Sequence, residues 1–170
     1  MEGIKTRRSI RKYSDKEVED EKIDKVIRAA MQAAGSRMGS EPWEFIVVRN
    51  KDTIKKLSEM SPNAKLVADC NVAIVLLANM ERVHYPEVWQ QDMAACAENL
   101  LLEASYLDLG AVWIGTAPKE ERMDYLSELF GLGENIRPFN IISIGYPGEG
   151  LENKFIDKYD ETRVFYEEYK

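Results

Sequence analysis

The stretch "LENKFIDKYDETRVFYEEYK", residues 151–170, decides how the fold is read. Phe155, Ile156, Tyr159, Val164, Phe165, Tyr166 and Tyr169 make it too apolar and too aromatic for a free tail. Their spacing nevertheless draws no core helix, so another surface has to cover them. Upstream, helical and extended patterns alternate. Ile23, Val26, Ile27, Ala30, Met31 and Ala34 step by three and four, predicting a helix that ends near Gly35. "EFIVVRN", residues 44–50, reads as a strand. Ile54, Leu57 and Met60 mark a short helix, broken by Ser61, Pro62 and Asn63. "VAIVLLA", residues 72–78, is a continuous apolar run, the mark of a strand buried on both faces. The longest helix pattern runs over about residues 88–109, with Met93, Ala97, Leu100, Leu101, Ala104 and Leu107 as its stripe and Gly110 as its C-cap. A strand "AVWIG", a helix around Met123, Leu126 and Phe130 stopped by Gly131, and a strand "NIISIGY" follow. Pattern alone predicts a parallel, doubly wound α/β sheet. Two features resist it. No βα turn carries a phosphate-binding glycine fingerprint, and residues 151–170 have no place on such a sheet.

Bulk composition narrows the classes of function. The chain has 170 residues, 45% apolar and 31% charged, with a net charge of −7. That is the balance of one soluble globular domain spanning residues 1–170, and its overall charge repels nucleic acid and anionic lipid. It opens on Met1 without an apolar signal region, and its longest apolar run is too short to span a bilayer. Cys70 and Cys96, far apart and without a CxxC pair, fit a reduced cytoplasm. Against this acidic background, "GIKTRRSIRKYSDKE", residues 3–17, gathers Lys5, Arg7, Arg8, Arg11, Lys12 and Lys16. Such a cluster is either a local anion site or a solvated end.

The chemical inventory is thin. With His84 as the single histidine, a two-histidine metal site is impossible, and no Gly-x-Ser-x-Gly elbow accompanies it to make a triad. There is no Walker loop, and "GYPGEG", residues 145–150, lacks the GxGxxG spacing and reads as a turn. Either the protein binds rather than catalyses, or a bound cofactor carries the chemistry.

Five segments, "RRSIRKY" (7–13), "AAGSRMGSEPWEFIVV" (33–48), "QDMAACAENLLLEASYLDLGAVWIG" (91–115), "RPFNIISIGYP" (137–147) and "DKYDETRVFYEEY" (157–169), resemble the nitroreductase family in order and spacing. The match spans Arg7 to Tyr169, and the chain resembles the compact branch of that family. The resemblance implies an α+β fold: a three-layer α-β-α sandwich with a central mixed sheet. It also implies a C-terminal extension, about residues 150–170, that wraps the partner of a homodimer, which would explain the uncovered aromatic segment.

The same resemblance implies a flavin mononucleotide (FMN) site. Arg7, Arg8, Ser9 and Arg11 would line the cofactor. A phosphate dianion suits the planar fork of arginine, and a cation at Arg11 would favour a reduced, negatively charged flavin. The loop of residues 35–43 departs from the family form P-S-x-x-N-x-Q-P-W: Gly35, Gly39 and Glu41 replace the proline, asparagine and glutamine, while Ser36, Pro42 and Trp43 match. Ser36, Met38 and Glu41 are its implied flavin contacts, across the dimer. Trp113, Ile114 and Gly115 would pass the flavin near N5, and Lys158, with Lys154 as fallback, would meet the phosphate.

The implied activity is hydride transfer from NAD(P)H through flavin N5 to a nitroaromatic, quinone or similar acceptor, by a ping-pong route without an essential protein acid or base. The alternatives are a flavin-binding protein of the same fold with other chemistry (dehalogenation, flavin fragmentation or flavin storage) and a nucleic-acid-binding module. The acidic total opposes the latter.

Overall fold

The computed structural model describes residues 2–36 and 39–169. Among these residues, five α-helices, α1 (Glu2–Thr6), α2 (Asp20–Ala30), α3 (Lys51–Glu59), α4 (Trp89–Tyr106) and α5 (Glu120–Phe130), accompany four strands, β1 (Trp43–Val48), β2 (Val72–Asn79), β3 (Gly110–Gly115) and β4 (Ile136–Gly145). A 3₁₀ segment, Pro62–Asp69, links α3 to β2.

The strands are ordered β1-β2-β4-β3, and every neighbouring pair is antiparallel. The parallel arrangement that the pattern suggested is therefore wrong. Residues 72–78 are all buried, but helices on both sides of an antiparallel sheet produce the same apolar run as helices on a parallel one. Period and burial do not encode strand direction. Among the described residues, the one parallel contact is an isolated bridge between Ser9 and Ala111.

Two apolar layers sandwich the sheet. On one face, Val26 of α2 and Met93, Ala97 and Leu100 of α4 pack on Ile74, Leu76, Ile142 and Ile144. On the other, Ile54 and Leu57 of α3, Val67 of the 3₁₀ segment and Leu126 of α5 pack on Val75 and Ile141. This is the α-β-α sandwich of the α+β class. α3 starts at Asn50, whose side chain accepts from the Thr53 amide at 3.0 Å. α2 stops at Ala30, short of Gly35, because its last turn tightens: the Gln32 and Ala33 amides donate to Ala29 and Ala30 rather than one residue further back. Among the described residues, no helix is long and apolar enough to cross a membrane.

The N-terminal arm is tied to the β3–β4 end of the sheet. The Ile10 amide donates to the Ala111 carbonyl at 3.1 Å. Gly110 lets it pass, since a Cβ there would lie 2.6 Å from an Ile10 methyl. The Tyr13 hydroxyl lies 2.9 Å from the Ile10 carbonyl oxygen and 2.7 Å from the Ser143 hydroxyl. Burial pushes this phenol well above its ordinary range.

Residues 151–169 contain no strand or α-helix, only one 3₁₀ turn at Glu161–Arg163. Tyr166 and Tyr169 are 82% and 87% exposed, so this chain does not cover them. The segment is anchored at its start by Asn153, which accepts from the Arg8 amide at 3.1 Å and donates to the Leu109 carbonyl at 2.9 Å.

Candidate functional site

One feature that can receive a ligand is the outer edge of β3. Its inner edge pairs with β4, and among the described residues the arm bridges its outer edge only at Ala111. Because the Ala111 carbonyl faces outward to Ile10, strand alternation turns the N–H and C=O groups of Trp113 and Gly115 outward as well. The Thr116 amide, one residue on, points inward to the Phe139 carbonyl at 3.3 Å, as this alternation requires. Donors and acceptors thus line a strip of roughly 13 Å from Ala111 to Gly115, at about 3.3 Å per residue. At the far end, a Cβ on Gly115 would meet no atom within 4 Å. A flat ligand can approach the backbone there.

The arginines lie at the near end, and they differ in their contacts. Arg7 is held against α4, its Nε 3.4 Å from a Glu98 carboxylate oxygen. That contact uses one donor and leaves the terminal nitrogens of the fork for an anion. Arg8 folds back, its guanidinium donating to the carbonyls of Arg7 and Lys5, while its buried Nε has no partner among the described residues. Ser9 is exposed beside Ala111. Arg11 is exposed and donates to the Ser9 carbonyl at 3.2 Å.

Ser36 is placed by a residue that sequence reading missed. Asp92, in the first turn of α4 and only 4% exposed, accepts from both the amide and the hydroxyl of Ser36. A signal was present: Asp92 lies at helical spacing from Trp89 and Cys96 on the buried stripe, where an acid demands a partner. The glycine replacements in the loop also find a reason. A Cβ on Gly35 would lie 1.9 Å from the Ser40 carbonyl oxygen, and Gly39 has φ +87°, a region that glycine and asparagine tolerate best. Met38 lies outside the described residues. Glu41 is exposed.

Trp113 is half-buried and meets Phe139 edge to face, with ring centroids 5.2 Å apart. Ile114 points its side chain into the opposite apolar layer, and by the same alternation its peptide groups face β4, so it adds no donor or acceptor to the strip. Phe139 is the extra residue of a β-bulge, which pairs Leu76 with Asn140 but Leu77 with Pro138. Its neighbour Asn140 is fully buried opposite Gly115, and neither amide atom has a hydrogen-bond partner among the described residues. Arg122 of α5 donates to the Gly115 carbonyl at 2.7 Å. Neither Asn140 nor Arg122 was legible as a site neighbour, since both depend on strand register and the path of the turn. Lys154 and Lys158 are exposed on the extension. His84 is exposed. Cys70 and Cys96 are free and buried, and burial pushes both thiols up to about 12, so neither is a nucleophile near neutral pH. Among the described residues, no cluster of metal-ligating side chains occurs.

A cationic arm, a strip of outward peptide groups and an unobstructed glycine together fit an elongated anionic ligand with a flat end. Comparison with known proteins agrees. The family model described as "Nitroreductase family" matches residues 4–68 and 61–146. A provisionally named NADH dehydrogenase/NAD(P)H nitroreductase of Archaeoglobus fulgidus is 42% identical, covering 99% of this chain and 98% of that protein. The crystal structure of a provisionally named NADH oxidase of Clostridium acetobutylicum is 54% identical, with a TM-score of 0.95, over 98% of this chain and 99% of that one. An FMN-dependent nitroreductase of Clostridium difficile is 32% identical, with a TM-score of 0.87, over 98% of both chains. On sequence and fold together, the chain belongs to the nitroreductase family.

Proposed function

We propose that this protein is an FMN-dependent oxidoreductase that passes hydride from NAD(P)H to a small acceptor such as a nitroaromatic or a quinone. The observation that carries it is the β3 strip, with arginines at one end and the approachable Gly115 backbone at the other. FMN, when bound, supplies hydride acceptance and donation at N5. The residues present fit it. The terminal nitrogens of Arg7 suit a phosphate dianion, and the unpartnered Nε of Arg8 is a buried donor that such a ligand can satisfy. Ser9 adds a hydroxyl. Arg11 keeps a positive charge beside the strip, favouring a ring that gains negative charge. The outward N–H of Gly115 is a fixed donor for the ring's edge, and Trp113, braced on Phe139, holds the strand around it. The hydride chemistry in this reading resides in the cofactor, and the chain's residues bind and orient it.

The working unit in this reading is a homodimer. The outer edge of β1 is unpaired, and residues 151–169 expose Phe155, Tyr159, Tyr166 and Tyr169. A second copy would cover both, with Ser36, Met38 and Glu41 reaching toward the partner's flavin and Lys158 toward a phosphate. The reduced, unpaired cysteines accord with a cytoplasmic enzyme.

The test is direct. Purified protein should be yellow, heat should release FMN identified by mass, and NADH or NADPH should be consumed steadily with a nitroaromatic or quinone. FAD as the released species, or flavin without steady NAD(P)H consumption, overturns the reading. Truncation after Gly150 should give flavin-free or insoluble protein, and a yellow truncated monomer would refute the dimer.

A further inference from the structure

We propose that Arg122 is a positioning residue for the reacting edge of the site: it locks the Gly115 peptide in place and holds a positive charge beside it that favours the reduced cofactor. This rests on the FMN reading above.

Gly115 ends an unpaired strand edge and lacks a Cβ, so its backbone is free to turn unless it is held. It is held from both sides of one peptide unit. The Thr116 amide donates to Phe139 of β4 at 3.3 Å, and the Gly115 carbonyl accepts from Arg122 at 2.7 Å. The intervening turn is itself fixed, with the Lys119 amide on the Thr116 carbonyl and the Arg122 amide on the Lys119 carbonyl, both at 3.0 Å. With its carbonyl fixed, Gly115 has little freedom to rotate its own N–H away from the strip.

Local rules do not explain a cation at this position. Arg122 lies in the first turn of α5, where the helix dipole disfavours positive charge and where Glu120 and Glu121 are the natural occupants. Its charge is not neutralised either. Glu120 pairs with Arg137 at 3.2 Å, whereas among the described residues Arg122 has no carboxylate within ion-pair distance, and the only hydrogen bond its side chain makes is to Gly115. The guanidinium therefore stands at most roughly 7 Å from the Gly115 N–H, the length of three backbone bonds plus that hydrogen bond. A charge this close to a partly water-excluded edge stabilises developing negative charge there.

The test uses the full chain reconstituted with FMN. Arg122→Met should bind oxidised FMN within about twofold of wild type but reduced FMN about tenfold more weakly, lowering the midpoint potential by about 30 mV for a two-electron couple. Arg122→Lys, which keeps the charge, should recover part of that shift. Arg122→Gln serves as the neutral variant if the methionine form does not fold. A neutral variant that holds FMN at the wild-type potential overturns the proposal. So does a folded one that no longer takes up FMN, because the residue would then retain the cofactor rather than tune it. A wild-type chain that takes up no FMN refutes the underlying reading, and with it this role.

Discussion

Both carboxylate oxygens of Asp92 are spent on one residue: the amide and the hydroxyl of Ser36 each donate to it at 2.8 Å. The first turn of α4 thereby holds the entrance of the 35–41 loop, the segment read above as reaching a second subunit's flavin. A buried carboxylate is tolerated here because two donors converge on it.

Asp92→Ala should destabilise the protein by about 2–3 kcal/mol, since it strands both Ser36 donors and removes charge-assisted bonds. Ser36→Ala should cost about 1 kcal/mol, as one bond is lost and the amide still reaches the carboxylate. Urea denaturation midpoints at a common slope measure both, and equal values for the two variants would refute the shared latch.

Arg7 and Glu98, 3.4 Å apart, should separate retention of the cofactor from stability. Arg7→Ala should weaken FMN binding about ten- to a hundredfold, through loss of a charge-assisted contact worth about 1.5–3 kcal/mol. Glu98→Gln should change stability little, because the pair is partly exposed, while loosening FMN by a smaller factor through a less constrained arginine. Fluorescence titration with FMN, beside thermal melts, distinguishes the two effects.

Gly115→Ala should leave the cofactor-free protein as stable as before, or more stable by about 0.5 kcal/mol, since its Cβ meets no atom within 4 Å and its φ is not in the left-handed region. The same methyl should obstruct the flat end of the ligand and weaken FMN uptake at least about tenfold. Wild-type FMN affinity in this variant would show that the ring does not approach the β3 backbone here.

Asn140→Leu should raise stability by about 1–2 kcal/mol, because it replaces a fully buried amide without a hydrogen-bond partner by an apolar side chain of similar size. A fall in stability on chemical denaturation would mean that the amide is satisfied by a buried water or by the cofactor. Comparing the shift with and without FMN separates those two.

Several parts of the candidate site could be proposed from the amino-acid order because they depend on local chemistry. The arginine cluster is contiguous in sequence, and Gly115 ends an evident apolar strand. Asp92 was legible in principle, as an acid on a buried helical stripe. Asn140 and Arg122 were not. Asn140 faces Gly115 only through the β3–β4 register and a bulge at Phe139, and Arg122 reaches the Gly115 carbonyl only because a four-residue turn returns α5 to the end of β3.

The sequence by itself determined where α2–α5 and the four strands lie to within a few residues, though it gave no sign of α1, and that residues 72–78 form a strand and residues 151–170 need a surface they do not contain. Hydrophobic period and side-chain chemistry are local quantities, and they record burial and element type directly. Strand direction, register and the pairing of distant polar groups are not local. An apolar run is the same whether its neighbours run parallel or antiparallel, and an unpaired edge is known only once every strand has taken its partner. Only the tertiary structure therefore decided that the sheet is antiparallel, that Trp113 and Gly115 turn their peptide groups outward, and that Asp92, Asn153 and Arg122 hydrogen-bond to Ser36, Arg8 and Gly115.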